Sequence, residues 1–456
     1  MKEKIEELLS DLPSLLSEKK YATLRDRLSE IPAPDLAEIF SDVDFTYHTV
    51  IFRLLSKSHA ADTFIELDSD TQMRLIGGFS EGELSSVLDE MYLDDTVDLI
   101  EEMPASVVKR IIKSSTPENR SVINKLLKFP KDSAGSLMTT EYVRLSPNMT
   151  VRDALAHIRR VAIDKETIYT SYVTDSERRL MGIVTARSLM ITDPDTPITD
   201  IMEENVIYAD TFLDQGEVAN IFAKYGFIAL PVVDSERRLV GIVTVDDAID
   251  VIREEADEDL AKIVGITPTE TTYLKTPVTK IWLSRVPWLL LLMISATFSS
   301  TILSGFERAL PTVLILFVPM LMDTGGNSGG QSSVTVIRSL GLGEITPANL
   351  WAIAYKEIRV GIMMGISIGA VALGKVMLVD RLLMNNPDVT IFVALAVSIT
   401  LAITIMVSKL IGAILPLGAK KLGLDPAVMA SPFVTTVVDA ASLLIYFVVA
   451  SKVFVL

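Results

Sequence analysis

The chain has 456 residues and a formal net charge of −17, yet 49% of its residues are hydrophobic, so a charged part and an apolar part must be separated along the sequence. The negative charge argues against nucleic acid as a partner, because phosphates attract basic surfaces. The chain has no cysteine, which excludes disulfides and thiolate metal sites. The charged N-terminal segment lacks the apolar region of a signal peptide, so we expect the N-terminus in the cytoplasm.

Residues 1–130 contain short amphipathic segments that end in acidic or turn residues, such as LAEIF before Ser41 and TVDLIEEM before Pro104. Apolar residues recur every three to four positions, which predicts an acidic α-helical domain with a superhelical arrangement. Asp94 and Asp98 are four residues apart and share a helical face, where like charges repel unless a cation bridges them. From this segment alone, a solvated charged face is the simpler interpretation.

Residues 131–253 hold a tandem repeat, since DSERRL occurs at 175–180 and again at 234–239, followed by MGIVT and by VGIVT. In each copy the pattern predicts a helix, a strand, a polar turn, a second strand and a closing helix. This order resembles a pair of CBS domains, α+β modules that associate in tandem and often bind adenine nucleotides. The copies span about 131–196 and 197–253, with predicted helices at 151–161 and 215–225.

The second copy resembles the nucleotide-binding CBS domains more closely than the first. In such domains a run of hydroxyl residues ending in Asp follows the second strand, and the Asp binds the ribose. Thr244 and Asp246 match this pattern, and Phe227 and Ile228 stand near the expected position of the base. The first copy has Thr-Ala-Arg at 185–187 and lacks the Asp. If ATP or a related nucleotide binds, the resemblance implies the second copy as its site.

Residues 246–270 form an acidic connector between the repeat and the apolar part of the chain. Apolar residues at helical spacing predict a helix with one packing side, which Gly265 and Pro268 are expected to end. Carboxylates on such a helix suit Mg²⁺, which keeps several waters and takes one or two carboxylates per site. We therefore expect a cation-dependent switch here. The acidic residues are Asp246, Asp247, Asp250, Glu254, Glu255, Asp257, Glu258 and Asp259.

Residues 271–456 are apolar enough for about five helical spans of a cell membrane, in contact with its lipid. We predict the spans at 288–304, 311 to about 340, 360–379, 391–415 and 433–454. With the N-terminus inside, basic residues concentrate on the cytoplasmic side, in agreement with the positive-inside rule. The inner group is Lys280, Arg285, Arg338, Lys356, Arg359, Lys420 and Lys421, and the outer group is Arg308, Arg381 and Lys452.

Asp439 stands near the middle of the last predicted span, where a charged side chain costs about 2.5–3.5 kcal/mol and usually faces a bundle interior, a partner or a water-filled path. We interpret it as a cation site on a conduction path; an Asp paired with a neighbouring helix is the alternative. The second span is rich in glycine from 323 to 333, and we expect its helix to be interrupted there and to expose oxygen donors. Close packing through small residues is the alternative. The predicted pore-lining residues are Asp323, Gly325, Gly326, Asn327 and Gln331.

The order of acidic helical domain, CBS pair, acidic connector and five spans resembles the MgtE family of bacterial magnesium channels. PMLMDTGGNSGGQSS at 319–333 and LDPAVMASPFVTTVVDAASLLIY at 424–446 are similar to that family's signature segments. The resemblance implies a homodimer with a pore on its two-fold axis, a hydrated Mg²⁺ at the paired Asp439 carboxylates, and cytosolic Mg²⁺ that closes the pore.

The resemblance also implies which acidic residues bind the regulatory Mg²⁺. Gly216 and Gly226 stand where some relatives carry acidic residues, so gating is expected to be less steep in Mg²⁺ than in those relatives. The implied regulatory residues are Asp62, Asp94, Asp98, Asp214, Asp247, Asp250, Glu255, Glu258 and Asp259.

Other function classes compete with this interpretation. A membrane metalloprotease would need a helical H-E-x-x-H pair, whereas His48, His59 and His157 are unpaired and lie outside the apolar part, so we expect no enzyme. A non-conducting cation or nucleotide sensor would leave Asp439 without a role. A transporter of another divalent cation, Mn²⁺ or Co²⁺, stays open because oxygen ligands discriminate poorly between Mg²⁺ and Mn²⁺. A carboxylate ring disfavours an anion such as chloride.

Overall fold

The computed structural model describes residues 2–268, 273, 276–306, 311–429 and 431–454. The chain divides into two compact units, Met1–Ile252 and Arg253–Leu456. The expected fold class is confirmed: helices precede a tandem CBS pair, and a long acidic helix precedes a helical apolar region. The expected end of the connector at residue 270, the adjoining boundary at 271, and Arg308 lie outside the described residues.

The N-terminal part of the first unit consists of mostly short helices, several of which begin at a side-chain cap. Ser80 accepts the Glu83 N–H while the Glu83 carboxylate accepts the Ser80 N–H, and Asp68 accepts the Thr71 N–H. Their apolar faces bury leucine and phenylalanine side chains in one core. The helices are Lys2–Ser17 (α1), Tyr21–Ser29 (α2), Ala33–Asp42 (α3), His48–Phe52 (α4), Lys57–Ile65 (α5), Ser69–Gly78 (α6), Glu81–Leu88 (α7), Leu93–Glu102 (α8), Ala105–Ser114 (α9) and Pro117–Leu126 (α10).

Each copy of the repeat forms a three-stranded sheet in which the first strand is parallel and the third antiparallel to the central second strand. The predicted helices at 151–161 and 215–225 are confirmed. The very short first strand of each sheet was implied by the CBS resemblance but not by the residue pattern. The elements are Ala134–Leu137 (α11), Val143–Leu145 (β1), Val151–Val161 (α12), Thr170–Thr174 (β2), Leu180–Thr185 (β3), Ala186–Ile191 (α13), Ala209–Asp210 (β4), Gln215–Tyr225 (α14), Ala229–Val233 (β5) and Leu239–Thr244 (β6).

The two DSERRL segments pair with each other, so the sequence repeat becomes a structural pair. The Leu180 N–H donates to the Arg237 carbonyl at 3.0 Å, and the Leu239 N–H donates to the Arg178 carbonyl at 2.9 Å. The core of the N-terminal helices continues into the second copy through Val218 and Phe222. This shared core holds α8 beside the end of the second copy.

The acidic connector is helical from Val245 to Ile263 (α15), as its sequence predicts. Ala248 and Val251 are buried in its first turns and Ile263 packs against Ile337 at its end, whereas Ile252 and Leu260 remain exposed. After its last turn, Gly265 takes a φ of +70°, a left-handed conformation that favours glycine.

The second unit contains long apolar helices. By length and composition, four described stretches could cross a membrane: Val278–Gly305, Pro347–Leu383, Ile391–Lys421 and Pro426–Val453. The glycine-rich second predicted span is helical but less apolar than these. The helices are Val278–Phe306 (α16), Thr312–Ile315 (α17), Val318–Gly341 (α18), Leu350–Lys375 (α19, continued by a π-helix at Val376–Leu383), Ile391–Lys421 (α20) and Ser431–Val453 (α21).

The expected interruption of the second span is wrong, because α18 is helical throughout residues 323–333. Its glycines serve close packing instead. A Cβ on Gly325 would lie 2.8 Å from the Thr404 side chain of α20, and one on Gly326 would lie 2.8 Å from Thr435 of α21. Small residues let the three helices approach at distances that larger side chains would prevent.

Candidate cation and nucleotide sites

The side of α8 that carries Asp94 is more buried than a solvated surface would be. Asp94 is only 6% exposed, and its Oδ1 has no hydrogen-bond partner among the described residues. Burial, then the charges of Asp247, Asp95 and Glu166, raise the pKa of Asp94 well above its ordinary value. Asp98 lies at the exposed edge, where the surrounding protein and Asp247 raise its pKa. The solvated-face interpretation therefore fails for Asp94.

Carboxylates from three separate segments face one another here: Asp94 on α8, Glu166 in the loop before β2, and Asp247 on the first turn of α15. Burial, followed by Asp247 and Asp95, raises the pKa of Glu166 to about 8. Burial and Asp247 raise that of Asp95 to about 7. The Thr244 hydroxyl donates to Asp247 Oδ2 at 2.6 Å. We call Asp94, Asp95, Asp98, Glu166 and Asp247 the acidic face.

The acidic face has the donors of a hard-cation site but not the preformed geometry of one. Glu166 Oε2, like Asp94 Oδ1, is buried without a hydrogen-bond donor among the described residues. Unpaired carboxylate oxygens are the ligands that Mg²⁺ prefers. Within the described residues, however, no three carboxylate or imidazole groups lie close enough together to hold a metal ion as they stand. These residues fit a divalent cation that would draw them together.

Three further regulatory residues predicted from the sequence lie elsewhere in the first unit. Asp62 is exposed near Tyr92, beside the acidic face. Asp250 follows Asp247 by one turn of α15. Burial, and then the negative charge of Asp250, raise the pKa of Glu66. Asp214 is exposed and caps α14, since its Oδ1 accepts the Gly216 N–H at 3.0 Å. All three stay predictions as cation ligands, as do the other regulatory residues.

The last turns of α15, in the second unit, form a different acidic group. The Lys262 ammonium lies 2.7 Å from Glu258 and 2.6 Å from Asp425, which follows α20. Burial, then the charge of Asp425, raises the pKa of Asp259. Glu255 lies one turn earlier on the same helix and is half-buried. Asp425 was not identified from the sequence, because only the fold brings it to α15.

The residues expected around a nucleotide are adjacent at the end of the second sheet. Thr244 closes β6, and the Val245 N–H donates to the Ile228 carbonyl at 3.0 Å. Phe227 stacks on Tyr225, with ring centroids 5.4 Å apart, and Ile228 is half exposed. Asp246 begins α15 at the same place and is exposed.

Asp439 lies on α21, inside the apolar region. Its Oδ1 is buried without a hydrogen-bond partner among the described residues, so the alternative of an Asp satisfied by a neighbouring helix is not supported. The carboxylate of Asp323 on α18 is close enough to repel the Asp439 carboxylate. Asp323 in turn accepts a hydrogen bond from Asn327 Nδ2 at 3.1 Å.

The predicted pore-lining residues of α18 separate into two sets. Asp323, Asn327 and Gln331 recur every four residues and are exposed, so they form one polar stripe. Gly325 and Gly326 are buried against α20 and α21. These two glycines serve helix packing here, and their place in a pore lining stays a prediction.

Three family models match the chain: the MgtE intracellular N domain over residues 31–132, the CBS domain over 134–193 and 198–254, and the MgtE divalent cation transporter over 318–449. The magnesium transporter MgtE of Thermus thermophilus is 36% identical over 98% of this chain and 98% of its own length. The chain belongs to the MgtE family. The MgtE of Bacillus subtilis is 32% identical over 98% of this chain and 97% of its own. The family and the apolar helices make the chain a multi-pass membrane protein.

Two solved structures resemble about half of this chain. The cytosolic domain of the Mg²⁺ channel MgtE in complex with ATP is 38% identical, with a TM-score of 0.51, and covers 54% of this chain and 100% of its own. The soluble part of a magnesium transporter is 33% identical, with a TM-score of 0.51, over 55% of this chain and 99% of its own.

Proposed function

We propose that this MgtE-family chain carries Mg²⁺ into the cytoplasm across the cell membrane, as a homodimer with its N-terminus inside. The observation that carries the proposal is Asp439, a carboxylate in an apolar helix with a buried oxygen that no described residue satisfies. Such a group is costly in a membrane unless it serves an ion. The relatives at 36% and 32% identity are named magnesium transporters, which supports Mg²⁺ as the cargo.

In this proposal Asp439 holds the hydrated ion and the polar stripe of α18 continues its path. Asp323 acts on Asp439, so a divalent cation beside them is attracted by two carboxylates. The stripe presents side-chain oxygens at every fourth residue, suited to the water shell that Mg²⁺ retains. A second copy would double these groups around a two-fold axis.

Cytosolic Mg²⁺ closes the path in our proposal by binding to the acidic surfaces. Without a cation, the carboxylates of the acidic face repel one another across α8, the first CBS copy and α15. A bound Mg²⁺ would favour a conformation in which they are drawn together, and a ligand shifts such an equilibrium by its difference in affinity for the two states. Glu258, Asp259 and Asp425 form the corresponding group at the other end of α15.

ATP is the proposed nucleotide ligand of the second CBS copy. A relative's cytosolic domain was solved with ATP. Phe227 and Ile228 lie beside Thr244 and Asp246 in this chain, so an aromatic ring and a carboxylate are available for a base and a ribose. We propose that ATP modulates the switch, because Asp246 and Asp247 are neighbours on α15.

The proposal is tested by Mg²⁺ uptake into proteoliposomes that contain the full chain, with nominally zero Mg²⁺ inside. Asp439→Asn keeps the shape of the side chain and removes its charge, and we expect it to abolish uptake. Asp388→Asn, in the exposed loop before α20, is the matched control and should transport normally. Uptake that survives in Asp439→Asn would place the path elsewhere. No uptake by correctly inserted wild type would favour a non-conducting sensor, and faster uptake of Mn²⁺ or Co²⁺ would change the cargo.

A further inference from the structure

A cavity of about 660 Å³ lies between α18, α19 and α20 in the membrane region. It contains two opposite charges, Glu357 of α19 and Lys409 of α20, and neither was singled out from the sequence. Lys409 lies inside the most apolar of the four candidate spans, whereas Glu357 lies near the start of α19, between Lys356 and Arg359. An ionisable side chain inside such a span is rare and costly, and it usually marks an ion path or a proton path.

The two charges line the same cavity without pairing directly with each other. The Lys409 ammonium donates to Gln331 Oε1 at 3.2 Å, and the Ser332 hydroxyl donates to Glu357 Oε2 at 2.6 Å. Lys409 is only 5% exposed and interacts electrostatically with Glu357 at a distance. Adjacent residues of α18 thus hold a cation and an anion apart across an open space. Two charges that served only to neutralise each other would be expected in contact.

The cavity continues the polar stripe of α18. Asn327 and Gln331 both line it, and Gln331 is eight residues from Asp323, about 12 Å along the helix. Asn327 also donates to Asp323, which acts on Asp439. An ion that moves from Asp439 along this stripe therefore meets the cavity next. The carbonyl oxygen of Gln331, which could bind that ion, is already engaged by Lys409.

We propose that this cavity is a second station for the hydrated divalent cation, with Glu357 as its anionic group, and that Lys409 limits how long the ion stays there. The inference rests on the proposed transport function. The buried ammonium of Lys409 repels a divalent cation in the cavity and withholds Gln331 as a ligand. Lys409 thereby weakens binding at the station and speeds release.

The test compares Mg²⁺ uptake by wild type, Lys409→Met, and the double variant Lys409→Met with Glu357→Gln. Methionine keeps the length of the side chain, suits an apolar helix and removes the charge. We expect Lys409→Met to lower both the half-saturating Mg²⁺ concentration and the maximal rate about tenfold, as the loss of a nearby repelling charge implies. The double variant should recover most of the wild-type rate. Lys356→Met, exposed next to Glu357 in sequence, should behave like wild type.

A direct binding measurement separates this inference from the transport function. In the Asp439→Asn background, equilibrium dialysis should find one additional bound Mg²⁺ per chain in Lys409→Met, which Glu357→Gln removes. Lys409→Gln replaces Lys409→Met if the latter does not purify as a single species. The inference is overturned if wild type transports but Lys409→Met has unchanged kinetics, or if its effect persists in the double variant. No transport by wild type would overturn the proposed function and, with it, this inference.

Discussion

The acidic face of the first unit and the membrane helices of the second unit differ in whether their charged side chains have partners of opposite charge or hydrogen-bond donors. Around Asp94 and Glu166 the dominant charged neighbours are other carboxylates, and each keeps a buried oxygen without a described partner. In the membrane helices, Glu357 has the Ser332 hydroxyl, and Lys375 has Asp380 at 2.9 Å. The carboxylates of the first region therefore need a proton or a cation to neutralise them. The charged side chains Glu357 and Lys375 of the second region instead have other side chains as partners.

This contrast indicates a division of labour between the two regions. A cluster of like charges has a conformation that changes with cation concentration, which is useful in a sensor. A helix bundle that satisfies its charges and packs backbone against backbone keeps a fixed geometry, which is useful around an ion path. Asp439 is the exception in the second region, because its Oδ1 has no described partner.

The largest effect is expected where helices of the second region touch. A Cβ on Gly412 of α20 would lie 2.1 Å from the Gly329 carbonyl oxygen of α18. An alanine there would therefore have to push the two helix backbones apart. We expect Gly412→Ala to destabilise the protein by about 1–3 kcal/mol or more, and to lower its melting temperature in detergent. Gly418→Ala is the matched control on the same helix, since nothing lies within 4 Å of its Cβ. Equal melting temperatures would refute the fixed-bundle side of the comparison.

The next effect is expected in the acidic face, as a function of pH. The pKa of Asp95 is raised from 3.8 to about 7, and that of Glu166 from 4.5 to about 8. Between pH 4 and 8 the folded state thus keeps protons on these two groups that the unfolded state releases, so their contribution to stability is fully present below pH 4 and is lost as pH rises to about 8. In EDTA, the melting temperature of the first unit in the full chain should fall over this window.

Added Mg²⁺ sharpens this prediction, because it replaces the lost protons. It should restore the melting temperature at pH 8 and have little effect at pH 5. Glu166→Gln should flatten the pH dependence, whereas Glu204→Gln, which removes the same charge from an exposed position, should not. A pH profile that is identical in wild type and Glu166→Gln would show that the acidic face is not the responsive element.

The smallest effect concerns Gly226, where the family resemblance implies an acidic residue in some relatives. Gly226 ends α14 with a φ of +66°, and nothing lies within 4 Å of a Cβ built there. Asp and Asn tolerate this conformation at a cost of about 1 kcal/mol. We expect Gly226→Asp to close the transporter at a few-fold lower internal Mg²⁺, as an added ligand charge would. Gly226→Asn carries the same backbone cost without the charge and should match wild type; if both variants shift equally, the backbone is responsible.

Local patterns determined which parts of this molecule could be predicted. The helices at 151–161 and 215–225 have caps within their own sequence, Thr150 with Asp153 and Gly226, so their bounds were correct. Asp94 and Asp98 were found by helical spacing. Glu166 and Asp425 were missed, because only tertiary contacts bring them to the acidic groups.

The membrane region was harder to interpret because one residue pattern has two physical uses. A run of glycines can open a helix or let it pack closely, and the choice depends on neighbours such as Thr404 and Thr435 that the run itself does not reveal. Lys409 did offer a detectable pattern, a lone basic residue within an apolar span. Its opposite charge, Glu357, is 52 residues earlier and meets it only in the folded bundle.

The most direct test of the account is Mg²⁺ uptake measured against internal Mg²⁺, from nominally zero to several millimolar, in wild type and in Asp94→Asn with Asp247→Asn. We predict that wild-type uptake falls as internal Mg²⁺ rises and that the double variant needs about tenfold more internal Mg²⁺ for the same closure, a typical coupling between sites. Its uptake at zero internal Mg²⁺ should equal that of wild type. The account would be contradicted if wild-type uptake did not change with internal Mg²⁺. It would also be contradicted if the double variant closed at the same internal Mg²⁺ concentration as wild type.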